Sequence, residues 1–270
     1  YSTVCPITPA SALNMDGVND YVIVPNSPSL QFTNGYTLEA WINKNDFGDE
    51  RIIDKQNVGG SNGPFTFDTY NGLRLIFGTS TGSHQVETGV GLPLNTWTHV
   101  AATADVATGE MKLLVNGVVA ASGTFTGTLL NNALSLGIGA GGGGGIPFDG
   151  TYNGKIDEVR IWNKARTQTE IQAAMNCEIT NSEIGLVAAY HFNQGIAGAD
   201  NASENNITDA SGNGNNGTLT NFALNGVTSN WVEPGSVVTG TSCSPCIVNI
   251  PDANFKNALL ANAAINTNSN

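Results

Sequence analysis

Lys112-Leu-Leu-Val-Asn-Gly-Val-Val-Ala120 decides the class of this fold. Two apolar runs flank an Asn-Gly pair, which supplies the positive φ values of a type I′ turn, the turn whose twist matches that of paired strands. The stretch reads as an antiparallel hairpin. Similar runs bounded by turn residues recur: Tyr21 to Val24, Thr37 to Ile42, Arg51 to Asp54, Phe65 to Thr69, Leu73 to Phe77, Trp97 to Ala104, Met111 to Val115, Val118 to Ser122, Ala133 to Ile138, Lys155 to Trp162 and Gly185 to Phe192. Asn34-Gly35, Asn71-Gly72 and Asn153-Gly154 mark further tight turns. Gly (33 residues), Asn, Thr and Ser are abundant, and no helical periodicity alternates with the strands. The expected class is all-β, two antiparallel sheets packed as a sandwich or jelly roll.

Two helical stretches interrupt this pattern. Thr167-Gln-Thr-Glu170 is a capping box, followed by Ile171 and Met175 four apart, and predicts a short surface helix ending near Asn176. Pro251 to Leu260 predicts a second, with Asp252 as N-cap and Phe255 and Leu259 on one face. Pro234 to Pro245 between them has linker composition. The expected organisation is a β domain over residues 1–234, a linker over 235–246 and a separate segment over 247–270.

Lys and Arg total 10 against 22 Asp and Glu, a net charge of -12 over 270 residues, with no basic cluster. Counterion release onto nucleic acid and attraction to anionic membranes both need such a cluster, so both roles are excluded. No apolar run reaches the roughly 18 residues of a spanning helix. The chain reads as a soluble, processed segment of an exported protein. Its four cysteines, Cys5, Cys177, Cys243 and Cys246, read as disulfides, with three pairings open. Cys243-Ser-Pro-Cys246 has C-x-x-C spacing, but neither a βαβ unit nor a second Cys/His pair accompanies it.

Five motifs in order carry a resemblance: Ala12-Leu-Asn-Met-Asp-Gly-Val-Asn-Asp-Tyr-Val-Ile-Val-Pro25, Tyr36-Thr-Leu-Glu-Ala-Trp-Ile42, Asn95-Thr-Trp-Thr-His-Val100, Leu114-Val-Asn-Gly-Val118 and Gly154-Lys-Ile-Asp-Glu-Val-Arg-Ile-Trp-Asn163. Together they resemble the laminin-G-like jelly roll of the concanavalin A-like lectin/glucanase superfamily, in the version common in exported proteins of Bacteroidetes-type bacteria. Leu186 to Asn193 and Asp209 to Leu219 match a strand and a Gly/Asn loop that such domains also carry, so the likeness covers about residues 10 to 232. From Ile247 the chain resembles the opening cap of a bacterial leucine-rich-repeat array, without one full repeat. The resemblance implies a structural calcium held by Asp16, the Gly17 carbonyl and Asp157, with Asp20 and Asn43 completing the shell.

A second calcium is conceivable at Asp209-Ala-Ser211-Gly-Asn213-Gly-Asn215, which places oxygens at EF-hand positions one, three and five. Position twelve is Thr220 rather than a bidentate Glu, so an EF-hand is excluded and an Asn/Gly turn is favoured. Enzyme signals fail. Gly78-Thr-Ser-Thr-Gly82 lacks the strand-to-helix setting of a nucleophile elbow, the Gly137 to Gly145 run lacks the βαβ unit of a phosphate cradle, and the paired carboxylates of retaining glucanases are missing. His99 and His191 sit in apolar strands and read as hydrogen-bonded structural residues; Trp41, Trp97 and Trp162 read as core or near-core. Candidate ligand residues lie on irregular segments: Phe47, Asp49 and Glu50, Tyr70 and Asn71, His84, and Phe148 to Tyr152.

The expectation is a non-catalytic, calcium-stabilised binding or adhesion module of a secreted or cell-surface bacterial protein. Its expected ligands are glycans or surface proteins, and its expected form is a monomeric module within a larger chain. The alternatives are a structural spacer in a surface adhesin and an accessory domain of a polysaccharide-degrading enzyme.

Overall fold

A computed structural model describes residues 11–56, 63–141, 150–179, 183–237 and 243. Cys5, Cys246, Phe148, the expected helix at 251–260 and the repeat-like segment 247–270 lie outside these residues. The described residues form β1 (Ala12–Asp16), β2 (Tyr21–Val24), β3 (Gly35–Lys44), β4 (Arg51–Asp54), β5 (Thr66–Asp68), β6 (Arg74–Thr79), β7 (Gly82–Glu87), β8 (Thr98–Asp105), β9 (Glu110–Val115), β10 (Val118–Thr124), β11 (Leu136–Ile138), β12 (Asn153–Trp162), α1 (Gln168–Ala174), β13 (Leu186–Tyr190), β14 (Asn206–Ile207), β15 (Gly217–Thr220) and β16 (Asn230–Val232). They make two eight-stranded sheets. The first runs β10-β9-β8-β3-β12-β1-β16 with β13 also paired to β12; the second runs β14-β15-β2-β11-β4-β5-β6-β7. Every pairing between these strands is antiparallel. The all-β sandwich expected from the sequence is what the chain adopts.

The Asn-Gly pairs divide into two kinds. Asn116 (φ 49°) and Gly117 (φ 72°) form the hairpin turn between β9 and β10. Asn153-Gly154 is instead the start of β12, a correction to its reading as a turn. A Cβ on Gly154 would lie 2.3 Å from the Asn43 carbonyl oxygen of the neighbouring strand, so glycine is required there by close backbone approach. The elbow-like Gly78 to Gly82 stretch is the β6–β7 hairpin, with Thr79 opposite Gly82.

Inward positions of both sheets fill one core. Phe32, Tyr36, Phe65, Phe77 and Phe125 form its aromatic centre, with ring centroids 5.0 to 5.9 Å apart. Burying each ring stabilises the fold by about 1.5–3 kcal/mol. In β3, Tyr36, Leu38, Ala40 and Ile42 face this core, yet Thr37 and Glu39 on the opposite face are also fully buried. The cover is α1 and the segments around it. Its Thr167–Glu170 capping box is present. Ile171 packs on Ala101 and Leu114, while Ala174 joins Trp162, Ile179, Leu186 and Ala189.

A buried charge network fastens this cover. Glu39 accepts hydrogen bonds from Trp162 Nε1 (2.7 Å) and Arg166 Nη1 (2.9 Å). Burial alone would raise its carboxyl, but the His99 hydrogen bond and the Arg160, His99 and Arg166 charges outweigh that and hold it at about 2. Arg160 donates to the carbonyls of Ala174 (2.8 Å) and Cys177 and pairs with Glu158 (2.9 Å). Glu158 also meets His191 Nδ1 at 2.8 Å, so His191 has the structural role its setting suggested. Of the expected linker 235–246, the described residues are tied down. Ser236 N and Oγ each donate to Asp157 Oδ2 at 2.7 Å, Val237 is buried, and Cys243 is disulfide-bonded to Cys177.

That bond closes a separation of 66 residues, a constraint worth about 4 kcal/mol through the unfolded chain. Replacing both cysteines with alanine should therefore lower the melting temperature by roughly 10 °C. Mass spectrometry of the unreduced, digested protein should show a Cys177–Cys243 cross-linked peptide; a Cys243–Cys246 link would contradict the structure.

Candidate functional site

Four strands of the second sheet carry a row of alternating charge. Arg51 of β4 lies opposite Asp68 of β5, Asp68 opposite Arg74 of β6, and Arg74 opposite Glu87 of β7. Directly opposed residues project from one face. Because Ile53, Phe67, Leu75 and Val86 form the adjacent row and are buried in the core, the charged row stands on the outward face. A bulge in β4, where pairing shifts between Arg51 and Ile53, makes this possible. It buries Ile52 and Ile53 together and leaves Arg51 outward in register with Asp68.

Asp68 is the hub of the row. Wholly buried, it accepts from Arg51 Nη1 at 2.5 Å and from Arg74 through Nε at 3.0 Å and Nη2 at 2.5 Å. Burial keeps its carboxyl above the usual value although both guanidiniums pull the other way. Asp49 Oδ1 adds contacts of 3.3 Å to Arg51 and 3.9 Å to Arg74. With its donors turned to Asp68, Arg74 lies 4.2 Å from the centre of the Tyr70 ring. Tyr70 is thus backed by a cation and remains 44% exposed.

Beside the row, the segments following β3, β5 and β7 enclose a hollow of about 190 Å³, lined by Phe47, Thr69, Asn71, Gly72, Gly91 and Leu92 over buried Lys44. Phe47 is 75% exposed. Gly72 is positioned by the Asn71-Gly72 turn, and a Cβ there would lie 2.1 Å from the Val90 carbonyl oxygen, so only glycine admits the 88–90 segment. Asn71 Nδ2 donates to Glu87 Oε2 at 3.0 Å, joining hollow and row. Lys44 Nζ donates to Glu50 Oε2 (2.6 Å), Thr69 Oγ1 (2.6 Å) and the Gly48 carbonyl (3.0 Å). Burial pushes the Glu50 carboxyl up to about 7, against the pull of Lys44.

The structure therefore gathers Phe47, Asp49 and Tyr70, with Glu50 and Asn71, at one end of the second sheet. Two other expected ligand residues are placed elsewhere. Tyr152 is fully buried below Lys44, whose Nζ lies 5.8 Å from its ring centre, so it offers no surface to a ligand. His84 lies opposite Phe77, three residues along the β6–β7 ladder, with Nε2 3.1 Å from Thr79 Oγ1. Arg51, Asp68, Arg74 and Glu87 were missed by sequence reading: a two-residue turn at Asn71-Gly72 would set Asp68 opposite Leu75, whereas the structure pairs Phe67 with Leu75 and Asp68 with Arg74.

The expected calcium ligands do not converge. Asp16 pairs in register with Asn153 and Asn43 with Lys155, whereas Asp157 lies four residues beyond Asn153 on the same strand, about 13 Å away. Asp16 Oδ1 accepts the N–H of Val18, Asp20 accepts from Asp16 N and Ser229 Oγ, and the Gly17 carbonyl accepts from Thr151 Oγ1. Asp157 accepts from Glu158 N and from Ser236; burial and the Glu158 charge raise its carboxyl to about 8. As arranged, this set does not fit one calcium ion, and among the described residues no three acidic, imidazole or thiol side chains form such a group. The second expected set is engaged as well. Asp209 accepts the N–H groups of Ala189 (3.0 Å), Ser211 (2.9 Å) and Asn215 (3.0 Å), while Ser211 Oγ and Asn213 Nδ2 donate to carbonyls of β13. Asp209, Ser211 and Asn213 thus form a clamp that holds β13.

A family model described as the concanavalin A-like lectin/glucanases superfamily matches residues 16–172. No curated protein matches the sequence. Among solved structures, a Bacteroides ovatus protein described as carbohydrate-binding is similar at 24% identity and a TM-score of 0.62, over 82% of this chain and 61% of that one. This chain thus spans 61% of that relative's length. Domain 4 of the extracellular arabinanase AbnA of Geobacillus stearothermophilus, solved with arabinotriose, is 22% identical with a TM-score of 0.47, over 60% of this chain and 74% of that one. The sialidase CBM40 of Ruminococcus gnavus, solved with α2,3-sialyllactose, is 12% identical with a TM-score of 0.48, over 60% and 96%.

Two measurements check this electrostatic picture. Asp209→Ala strips acceptors from three backbone N–H groups and should cost about 3 kcal/mol, equally in millimolar calcium and in chelator; a larger loss in calcium would identify Asp209 as a metal ligand. The Glu50 carboxyl has a folded value of about 7 against 4.5 for the free group, so the folded state binds the extra proton in between. Its contribution to stability is therefore present below about pH 4.5 and lost as the pH rises through 7. Glu50→Gln does not titrate, so its stability relative to wild type should rise across that window; a flat difference would refute the shift.

Proposed function

The chain belongs to the concanavalin A-like lectin/glucanases superfamily, and we propose that it is a non-catalytic glycan-binding module of a secreted or cell-surface protein. One observation carries the reading: Phe47 and Tyr70 are exposed rings set beside a hollow whose borders are held by hydrogen bonds. Sugar rings present C–H faces to aromatic side chains, while their hydroxyls need donors and acceptors at fixed positions. The Asn71 amide and the Asp49 carboxylate supply these, on segments anchored to a rigid sheet.

The state of the carboxylates favours binding over catalysis. Hydrolysis of a glycosidic bond uses one carboxyl to protonate the leaving oxygen and a second as nucleophile or base. Here Glu50 is held by Lys44 and Asp68 by two guanidiniums, and both are buried. The description of the Bacteroides ovatus relative as carbohydrate-binding supports the same function. The Cys177–Cys243 bond supports an oxidising, extracellular setting.

Phe47→Ala and Tyr70→Ala should each weaken retention on a bound polysaccharide at least tenfold, measured by affinity electrophoresis. Their melting temperatures should stay close to wild type, since exposed substitutions cost about 0.5 kcal/mol or less. Retention unchanged in both variants would place the binding surface elsewhere.

A further inference from the structure

The charge pattern around the hollow bears on which glycans would be held, and the inference rests on the glycan-binding reading above. Each cation near the site already has an anionic partner. Lys44 pairs with Glu50 at 2.6 Å, and Arg51 and Arg74 share Asp68 at 2.5 Å each. Arg74 commits both Nε and Nη2 to Asp68 and sets its guanidinium carbon 4.2 Å from the centre of the Tyr70 ring. The Nε–Nη2 edge, one of the two through which a guanidinium grips a carboxylate in bidentate fashion, is thereby occupied. Around these three cations stand the carboxylates of Asp46, Asp49, Asp68 and Glu87, joined by Glu50 as the pH rises above about 7. The whole chain adds a net charge of -12 of the same sign.

Among the described residues a carboxylated sugar meets no cation near the site that lacks an anionic partner, and it meets a surplus of like charge. A neutral sugar meets the Tyr70 ring, the Phe47 ring and polar groups already locked by their own ion pairs, so little side-chain freedom is lost on binding. We propose that the site selects neutral glycans and rejects carboxylated ones, such as uronate or sialic acid chains, through the self-neutralised row Arg51–Asp68–Arg74–Glu87 and the excess of carboxylates beside it.

The test uses the whole chain against matched pairs of neutral and carboxylated glycans. Galactan is set against polygalacturonate and lactose-terminated against sialyllactose-terminated oligosaccharides, with neutral arabinan and xylan added. Affinities are measured by affinity electrophoresis and calorimetry at about pH 8, where Glu50 is ionised, in about 0.1 M and 0.5 M salt. The expected result is binding to at least one neutral glycan, insensitive to salt as for uncharged ligands and lost in Tyr70→Ala, with the carboxylated partner at least tenfold weaker. Glu87→Gln, which removes one carboxylate from the rim, should narrow that ratio several-fold. Equal affinity within a pair, or tighter and salt-sensitive binding of the carboxylated member that is still lost in Tyr70→Ala, would overturn neutral selection and leave the glycan site standing. No binding to any glycan, or binding indifferent to both Phe47→Ala and Tyr70→Ala, would overturn the glycan reading and this proposal with it.

Discussion

An eight-stranded sheet has two faces, and a sandwich core covers only one of them. The other face of the first sheet is where the sequence departs most from simple alternation, because β3 and β12 bear Thr37, Glu39, Arg160 and Trp162 on a side that is also buried. Charges taken out of water cost several kcal/mol each unless matched by opposite charge and hydrogen bonds. Glu39, Glu158, Arg160 and Arg166 meet that demand among themselves and with the carbonyls of α1 and the residues after it. The helix is held where it is because its backbone completes this network. Removing one member would strand a buried charge, so the helix is held by these charges as well as by its packing.

The second sheet handles its outward face differently. There the charges cancel in register across four strands, Arg51 to Glu87, and no helix among the described residues covers them. The β4 bulge brings Arg51 into that row, and Tyr70 extends it past the end of β5. Both faces use Arg–carboxylate pairs, but on the first sheet these secure a lid, whereas on the second they stiffen a surface that stays accessible at its edge.

The sequence made the strands, the 112–120 hairpin and the Thr167 capping box legible because each depends on residues close together in the chain. It was ambiguous wherever one local pattern serves two purposes. Asn153-Gly154 looks like a turn, yet its glycine is needed because the Asn43 carbonyl approaches, and that neighbour lies more than a hundred residues away. Asp209, Ser211 and Asn213 have the spacing of a cation loop, but the same oxygens and amides can be satisfied by backbone groups of β13, whose proximity no spacing reveals. Tyr152 lies beside a glycine run and reads as loop-borne, whereas tertiary packing draws it under Lys44. Phe47, Asp49 and Tyr70 were legible as loop residues. Their partners Arg51 and Arg74 were not: Arg51 enters the row through a bulge in β4, and the β5–β6 register differs by one residue from that of a two-residue Asn71-Gly72 turn.

The disulfide on the first sheet also sets a direction. Cys243 is pinned to Cys177 over Trp162 and Ala189, on the side of the sandwich opposite the one that carries Tyr70. A pull applied at Cys243 would therefore load the disulfide and the buried charges beneath it before the second-sheet strands that lead to Tyr70.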